Sequence, residues 1–129
     1  MKFGTTVAVI AVCSFAVSGC QSNPERQARL AAAERNAPVC TDEKGCEAMW
    51  SAARRWVLDN SPTRLQHYSG DYMETYNSSS TAVTSYRVTK DPVSNGYKIS
   101  LEAGCRNVFS CSPDPLAQIE SFNRFVGGR

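Results

Sequence analysis

The chain has 129 residues, with 14 basic and 12 acidic side chains, a formal charge of +2 and 42% apolar residues. That length admits one small domain. So even a charge balance excludes an electrostatic case for binding nucleic acid, and leaves only a weak one for anionic lipid surfaces.

Lys2 is the one charge ahead of an apolar run from Gly4 to Val17. A basic start followed by a run too short to span a bilayer, which takes about 20 residues, is the pattern of a signal peptide. The run ends in Val17-Ser18-Gly19-Cys20: a branched apolar residue, two small residues and a cysteine. These four residues resemble the lipobox of bacterial lipoproteins. The resemblance implies that the Cys20 thiol receives a diacylglycerol thioether. A dedicated peptidase then cuts ahead of it, and the new amine takes an acyl chain such as palmitate. Residues 1–19 are then a lipoprotein signal peptide, and Cys13 inside it has no role in the mature chain. Two or three acyl chains give stable anchoring where one is marginal. The competing reading is an ordinary secretory signal with a cysteine at its cleavage site. Within the lipoprotein class an Asp after the lipidated cysteine retains the protein at the inner membrane. Gln21 stands there instead, so the expected location is the outer membrane, facing the periplasm.

Residues 20–39 are polar and alanine-rich. Pro24 to Asn36 holds good helix formers but too few apolar residues for a core-facing stripe. The expectation is a partly helical, lipidated tether, with a helix that docks on a partner as the other reading. The domain itself is expected over residues 40–129.

Asp42 is an N-cap residue and Glu43 suits the first turn of a helix. From there Cys46, Met49, Trp50, Ala53, Trp56 and Val57 fall within an arc of about 120°. The pattern predicts an amphipathic helix over residues 42–59, stopped by Asn60-Ser61-Pro62. Leu65 to Tyr68 and Tyr72 to Tyr76 read as short strands around Ser69-Gly70-Asp71. Thr81 to Thr89 reads as a third strand, and the clean alternation of Tyr97, Ile99, Leu101 and Ala103 as a fourth. Asp91 to Gly96 is the expected hairpin connection, with Asn95-Gly96 as its turn signal. Asp114 and Pro115 start a last helix, with Leu116, Ile119, Phe122 and Val126 as its apolar face. The sum is an α+β fold: N-terminal helix, three to four antiparallel strands, C-terminal helix.

With Cys13 removed and Cys20 lipidated, Cys40, Cys46, Cys105 and Cys111 remain, an even number in an exported domain. They read as two disulfides that reinforce a small core. Each pair encloses five residues, wider than zinc sites favour. Cys46 lies on the helix's core-facing arc, and Cys105 continues the buried alternation of the last strand. That parity favours Cys46–Cys105 with Cys40–Cys111. The rival is a pair of local bridges, Cys40–Cys46 and Cys105–Cys111.

His67 is the only histidine, and no nucleophile elbow frames any serine. Glu74 with Glu102, or Asp71 with Glu74, are the carboxylate pairs available for glycoside cleavage. No phosphate loop, HExxH or calcium-loop pattern occurs. No catalytic residue, metal or cofactor is expected. Gly104 to Pro113 places Val108 and Phe109 beside Arg106 between two cysteines. Exposed, they form a recognition tip; the favoured expectation turns Phe109 inward to cap the core. Tyr68, Tyr72 and Tyr76, four residues apart, are a second set of binding residues if extended strands bring them to one face. The paired Met49-Trp50 and Trp56-Val57 helix with flanking cysteines is similar to small proteobacterial lipoproteins, a resemblance from which no activity follows.

The sequence thus points to a non-enzymatic interaction module of the cell envelope. It would be held on the membrane through lipid on Cys20 and would contact an envelope protein partner. The alternative is a binder of peptidoglycan, glycan or a small ligand, and the third reading a periplasmic hydrolase.

Overall fold

The computed structural model describes residues 23–128. The expected signal sequence and lipobox, with Cys20, lie outside the described residues. Among the described residues three helices and five strands run in the order α1 (Pro24–Arg35), β1 (Val39–Cys40), α2 (Glu43–Asn60), β2 (Leu65–Tyr68), β3 (Tyr72–Thr75), β4 (Ser85–Val93), β5 (Gly96–Gly104) and α3 (Pro115–Val126). The strands form one antiparallel sheet in the order β1-β5-β4-β3-β2. No helix among the described residues is long and apolar enough to cross a membrane.

Local chemistry sets the two core helices. The Asp42 carboxylate accepts from the Gly45 amide at the start of α2, and Asp114 accepts from Ala117 at the start of α3. Each cap satisfies an amide that the first helical turn leaves unpaired. The expected stripe of α2 is the buried one: Cys46, Trp50, Ala53, Trp56 and Val57 are all inside. They meet Met73, Tyr86, Val88, Ile99 and Leu101 from the sheet and Phe122 and Val126 from α3. Trp56 sits at the centre, edge-on to Tyr86 and to Phe122 with both ring centroids 5.4 Å away. Its indole N–H donates to Ser121 Oγ at 3.2 Å, so the one polar atom of that ring is satisfied. Two helices thus cover one face of the sheet, and the α+β class is as expected.

Four features depart from the sequence expectation. Strand β4 runs on through Asp91, Pro92 and Val93, and the reversal is only Ser94 and Asn95. Pro92 is tolerated because the Lys90 amide donates toward Asp71. Two residues on, the missing proline N–H points the same way, past the end of β3, where no ladder bond is lost. Second, a fifth strand exists: β1 pairs Val39 with Lys98 and Cys40 with Tyr97.

Third, α1 is docked rather than free. Arg29 makes a two-pronged pair with Glu120 at 3.0 Å for each bond, and Arg26 meets Asp114 at 2.8 Å. The Asn123 amide donates to the Ala33 carbonyl at 2.8 Å in a buried setting. The packed structure therefore starts ahead of Cys40.

Fourth, the disulfides are the local ones, Cys40–Cys46 and Cys105–Cys111. The favoured crossed pairing fails on register. Cys40 lies opposite Tyr97 at the start of β5, whereas Cys105 comes just after its last residue. Eight residue steps along the strand separate Tyr97 from Cys105, roughly 27 Å at about 3.4 Å per residue, far beyond the reach of one bridge. Cys46 does point inward as expected, but its partner there is Cys40.

Candidate functional site: a disulfide-closed apolar tip beside an open polar sheet face

After Gly104 the chain leaves the sheet and makes the loop Cys105-Arg-Asn-Val-Phe-Ser-Cys111. The disulfide brings the two ends to a Cα separation of 5.6 Å. Inside it the Asn107 side-chain oxygen accepts from the Phe109 and Ser110 amides at 2.8 and 3.2 Å, an Asx turn that fixes the bend. The base of the loop is stitched to the preceding segment. The Asn107 amide donates to Thr81 O, the Ser112 amide to Ala82 O, and the Thr84 amide to Ser112 O. The Arg106 guanidinium donates to Ser78 O at 2.6 Å. This framework presents an apolar surface: Val108 is 89% exposed and Phe109 93%. The inward Phe109 favoured from sequence is overturned. The core is already closed by Phe122, Tyr86 and Leu116, and the short bridge leaves no slack for Phe109 to fold back. Pinned at both ends and bent by its own asparagine, the loop has little conformational entropy left to lose on contact.

The other face of the sheet is uncovered and polar. His67, Glu74, Arg87 and Glu102 lie opposite one another across β2, β3, β4 and β5, so they form one cross-strand row. Arg87 Nε donates to Glu102 at 3.0 Å, and a second guanidinium nitrogen pairs with the same carboxylate. This contact raises the Arg87 pKa further above its ordinary value. Tyr72 stands on the same face. Its hydroxyl is raised above the usual tyrosine range, first by burial and then by neighbouring Glu74. Toward the tip the face deepens into a depression of 340 Å³, lined by Glu74, Ser78, Ser80, Arg87, Glu102 and Arg106 among others. The carboxylates Glu74 and Glu102 therefore do come together in one hollow. They sit two strands apart, however, with Arg87 between them and bonded to Glu102. That is an ion-paired surface, not an open gap between two acids.

The three tyrosines do not form a row. Tyr68 pairs with Met73, which is fully buried, so Tyr68 lies on the helix side. There it stacks on Trp50 at 6.3 Å, with the Arg54 guanidinium 4.7 Å from its ring centre. Tyr72 is on the opposite face, and Tyr76 is past the end of β3, half-exposed. The four-residue spacing assumed one continuous strand, whereas a turn at Ser69 to Asp71 separates Tyr68 from Tyr72. Among the described residues no group of three or more His, Cys, Asp or Glu side chains is placed to hold a metal ion.

No protein-family model matches the chain, and neither a curated protein nor a solved structure matches it significantly.

Proposed function

We propose that the chain is a non-enzymatic interaction module of the cell envelope, anchored through lipid on Cys20, that touches another envelope component through Val108 and Phe109. The observation that carries this reading is the near-complete exposure of both side chains on a loop held by a disulfide and an Asx turn. Full burial of each on contact is worth roughly 2 kcal/mol, and the loop geometry is already formed. Two substitutions test the reading. Cys20→Ser is expected to abolish incorporation of an alkyne fatty acid in growing cells; equal labelling of both forms sinks the anchor. A photoreactive phenylalanine analogue at position 109 is expected to crosslink to an envelope component in intact cells. If position 109 gives no adduct while the analogue at Ser51, exposed on α2, does, the tip is not the contact.

A second reading rests on the hollow of 340 Å³ on the open sheet face, whose carboxylates, guanidinium groups and hydroxyls suit a glycan or a small polar ligand. Arg87→Ala would abolish such binding and leave crosslinking at position 109 unchanged.

A further inference from the structure

We infer that the component met by the tip is the bilayer that carries the anchor, so that the domain is held to the membrane at two points. The inference rests on the anchored reading above.

Helices α1 and α3 run parallel. Arg26 meets Asp114, Arg29 meets Glu120, and Ala33 meets Asn123, so the partners advance together along both helices. The start of α1 and the start of α3 are therefore at the same end of the molecule. Asn23 caps α1, its side chain accepting from the Glu25 amide. It lies three residue steps after Cys20, a reach of at most about 11 Å. Asp114, at the start of α3, is three residues from Cys111, again at most about 11 Å along the chain. The N-terminal end of the described chain, three residues after Cys20, and the base of the apolar loop thus lie at the same end of the molecule, each tied to the Arg26–Asp114 pair. A chain anchored at Cys20 has too short a spacer to hold this end far from the headgroups.

The chemistry of that end suits an interface. Val108 and Phe109 supply the apolar wedge, and Arg106 lies beside them. Tyr76, 51% exposed, precedes by two residues the Ser78 carbonyl that Arg106 holds. Aromatic rings with a polar edge favour the headgroup level, and a basic residue at the rim favours anionic lipid. The opposite end of the sheet has the reverse character. Its depression is ringed by Asp42, Glu43, Glu47 and Asp71 with Lys90, a mainly acidic rim that an anionic surface repels. The hollow beside the tip balances Glu74 and Glu102 with Arg87 and Arg106, so the acidic excess lies at the far end of β5, in the sense that places the tip at the membrane and the acidic end in the aqueous space.

The test uses the full lipidated protein in vesicles of phosphatidylethanolamine with a minority of phosphatidylglycerol. An environment-sensitive dye is attached through Phe109→Cys or, at the far turn, Asn95→Cys. The expected result is blue-shifted emission at position 109 and several-fold stronger quenching there than at position 95 by spin labels carried near the lipid headgroups. Equal, water-like emission at both positions on a protein whose Cys20 carries its lipid overturns the inference alone. A mass showing Cys20 unmodified overturns the anchored reading and the inference together. A photo-adduct from position 109 in cells that proves to be protein, not lipid, also overturns it, and assigns the tip to a protein partner.

Discussion

Two disulfides close loops of equal length at opposite ends of β5, each with a sequence separation of 6. In Cys40-Thr-Asp-Glu-Lys-Gly-Cys46 the intervening residues are mostly charged and the cysteines are buried, 2% and 7% exposed. In Cys105-Arg-Asn-Val-Phe-Ser-Cys111 the cysteines are half-buried and the intervening apolar residues face outward. The spacing is the same, so the residues enclosed by each bridge decide the outcome. Asp42 caps a helix, and the helix carries Cys46 onto a buried stripe beneath Trp50. Asn107 makes a turn with no helix after it, and the chain swings out before Pro115 can start α3. One bridge joins a strand to a helix inside the core; the other holds a projection.

The comparison can be broken from either end. Replacing Cys40 and Cys46 together by alanine should have the largest effect. Loop closure accounts for about 2 kcal/mol and the buried void for about 1 more, which lowers Tm by roughly 15 °C. Urea unfolding of the double variant measures it, and a loss below about 1 kcal/mol would show that the bridge is not structural.

Next comes the core beneath both loops. Burial pushes the Tyr86 hydroxyl up to about 12, above its unfolded value. Its contribution is therefore complete below pH about 10 and is lost as pH rises toward the folded value, at a cost of about 2 kcal/mol. Denaturant midpoints above and below pH about 10 should show that slope, and Tyr86→Phe should flatten it. A slope that survives the substitution belongs to another group.

Replacing Cys105 and Cys111 by serine should cost at most about 2 kcal/mol. Its mark should be local: faster amide exchange confined to residues 106–110, with β5 and α3 still protected. Uniform deprotection would mean that the second bridge also holds the core. The smallest stability effect is expected of Val108→Ser with Phe109→Ser. Side chains this exposed should move stability by less than about 0.5 kcal/mol, while the crosslinking proposed for position 109 is lost. A large drop in Tm would show that the two residues pack in solution.

Much of the fold was legible because its signals are local. The capping aspartates, the arc from Cys46 to Val57 and the alternation of Ile99 and Leu101 each lie within one element. Strand β1 carried no such signal: two residues have no periodicity, and only pairing with Lys98 and Tyr97 makes them a strand. Docking of α1 was hidden for a related reason. Its polar contacts are two arginine–carboxylate pairs and an asparagine reaching a backbone carbonyl, and its buried apolar residue is the small Ala33, so no apolar stripe marks the docked face. The crossed disulfides came from correct parity at Cys46 joined to a missing distance, since parity along β5 says nothing about which end of the strand a residue occupies. At the site, Arg106, Val108 and Phe109 stood out by being apolar and basic between cysteines. Their outward turn depends on the core already being filled, which no stretch of sequence reports. The row from His67 to Glu102 needed the register of four strands.

Gly96 has a consequence for how the molecule behaves among its own copies. Its φ is +153°, and a Cβ there would overlap the Cys40 carbonyl oxygen. Only a residue without a side chain lets β1 lie against the start of β5. Beyond those two pairings, the Pro38 carbonyl takes the Ile99 amide. The short strand, with Pro38 before it, thus occupies hydrogen-bonding groups that a neighbouring chain could otherwise use. Bare strand margins recruit strands from other molecules. Gly96→Ala would therefore act less by straining a turn than by unseating this guard, leaving the start of β5 open to edge-to-edge pairing and the protein prone to self-association at high local concentration.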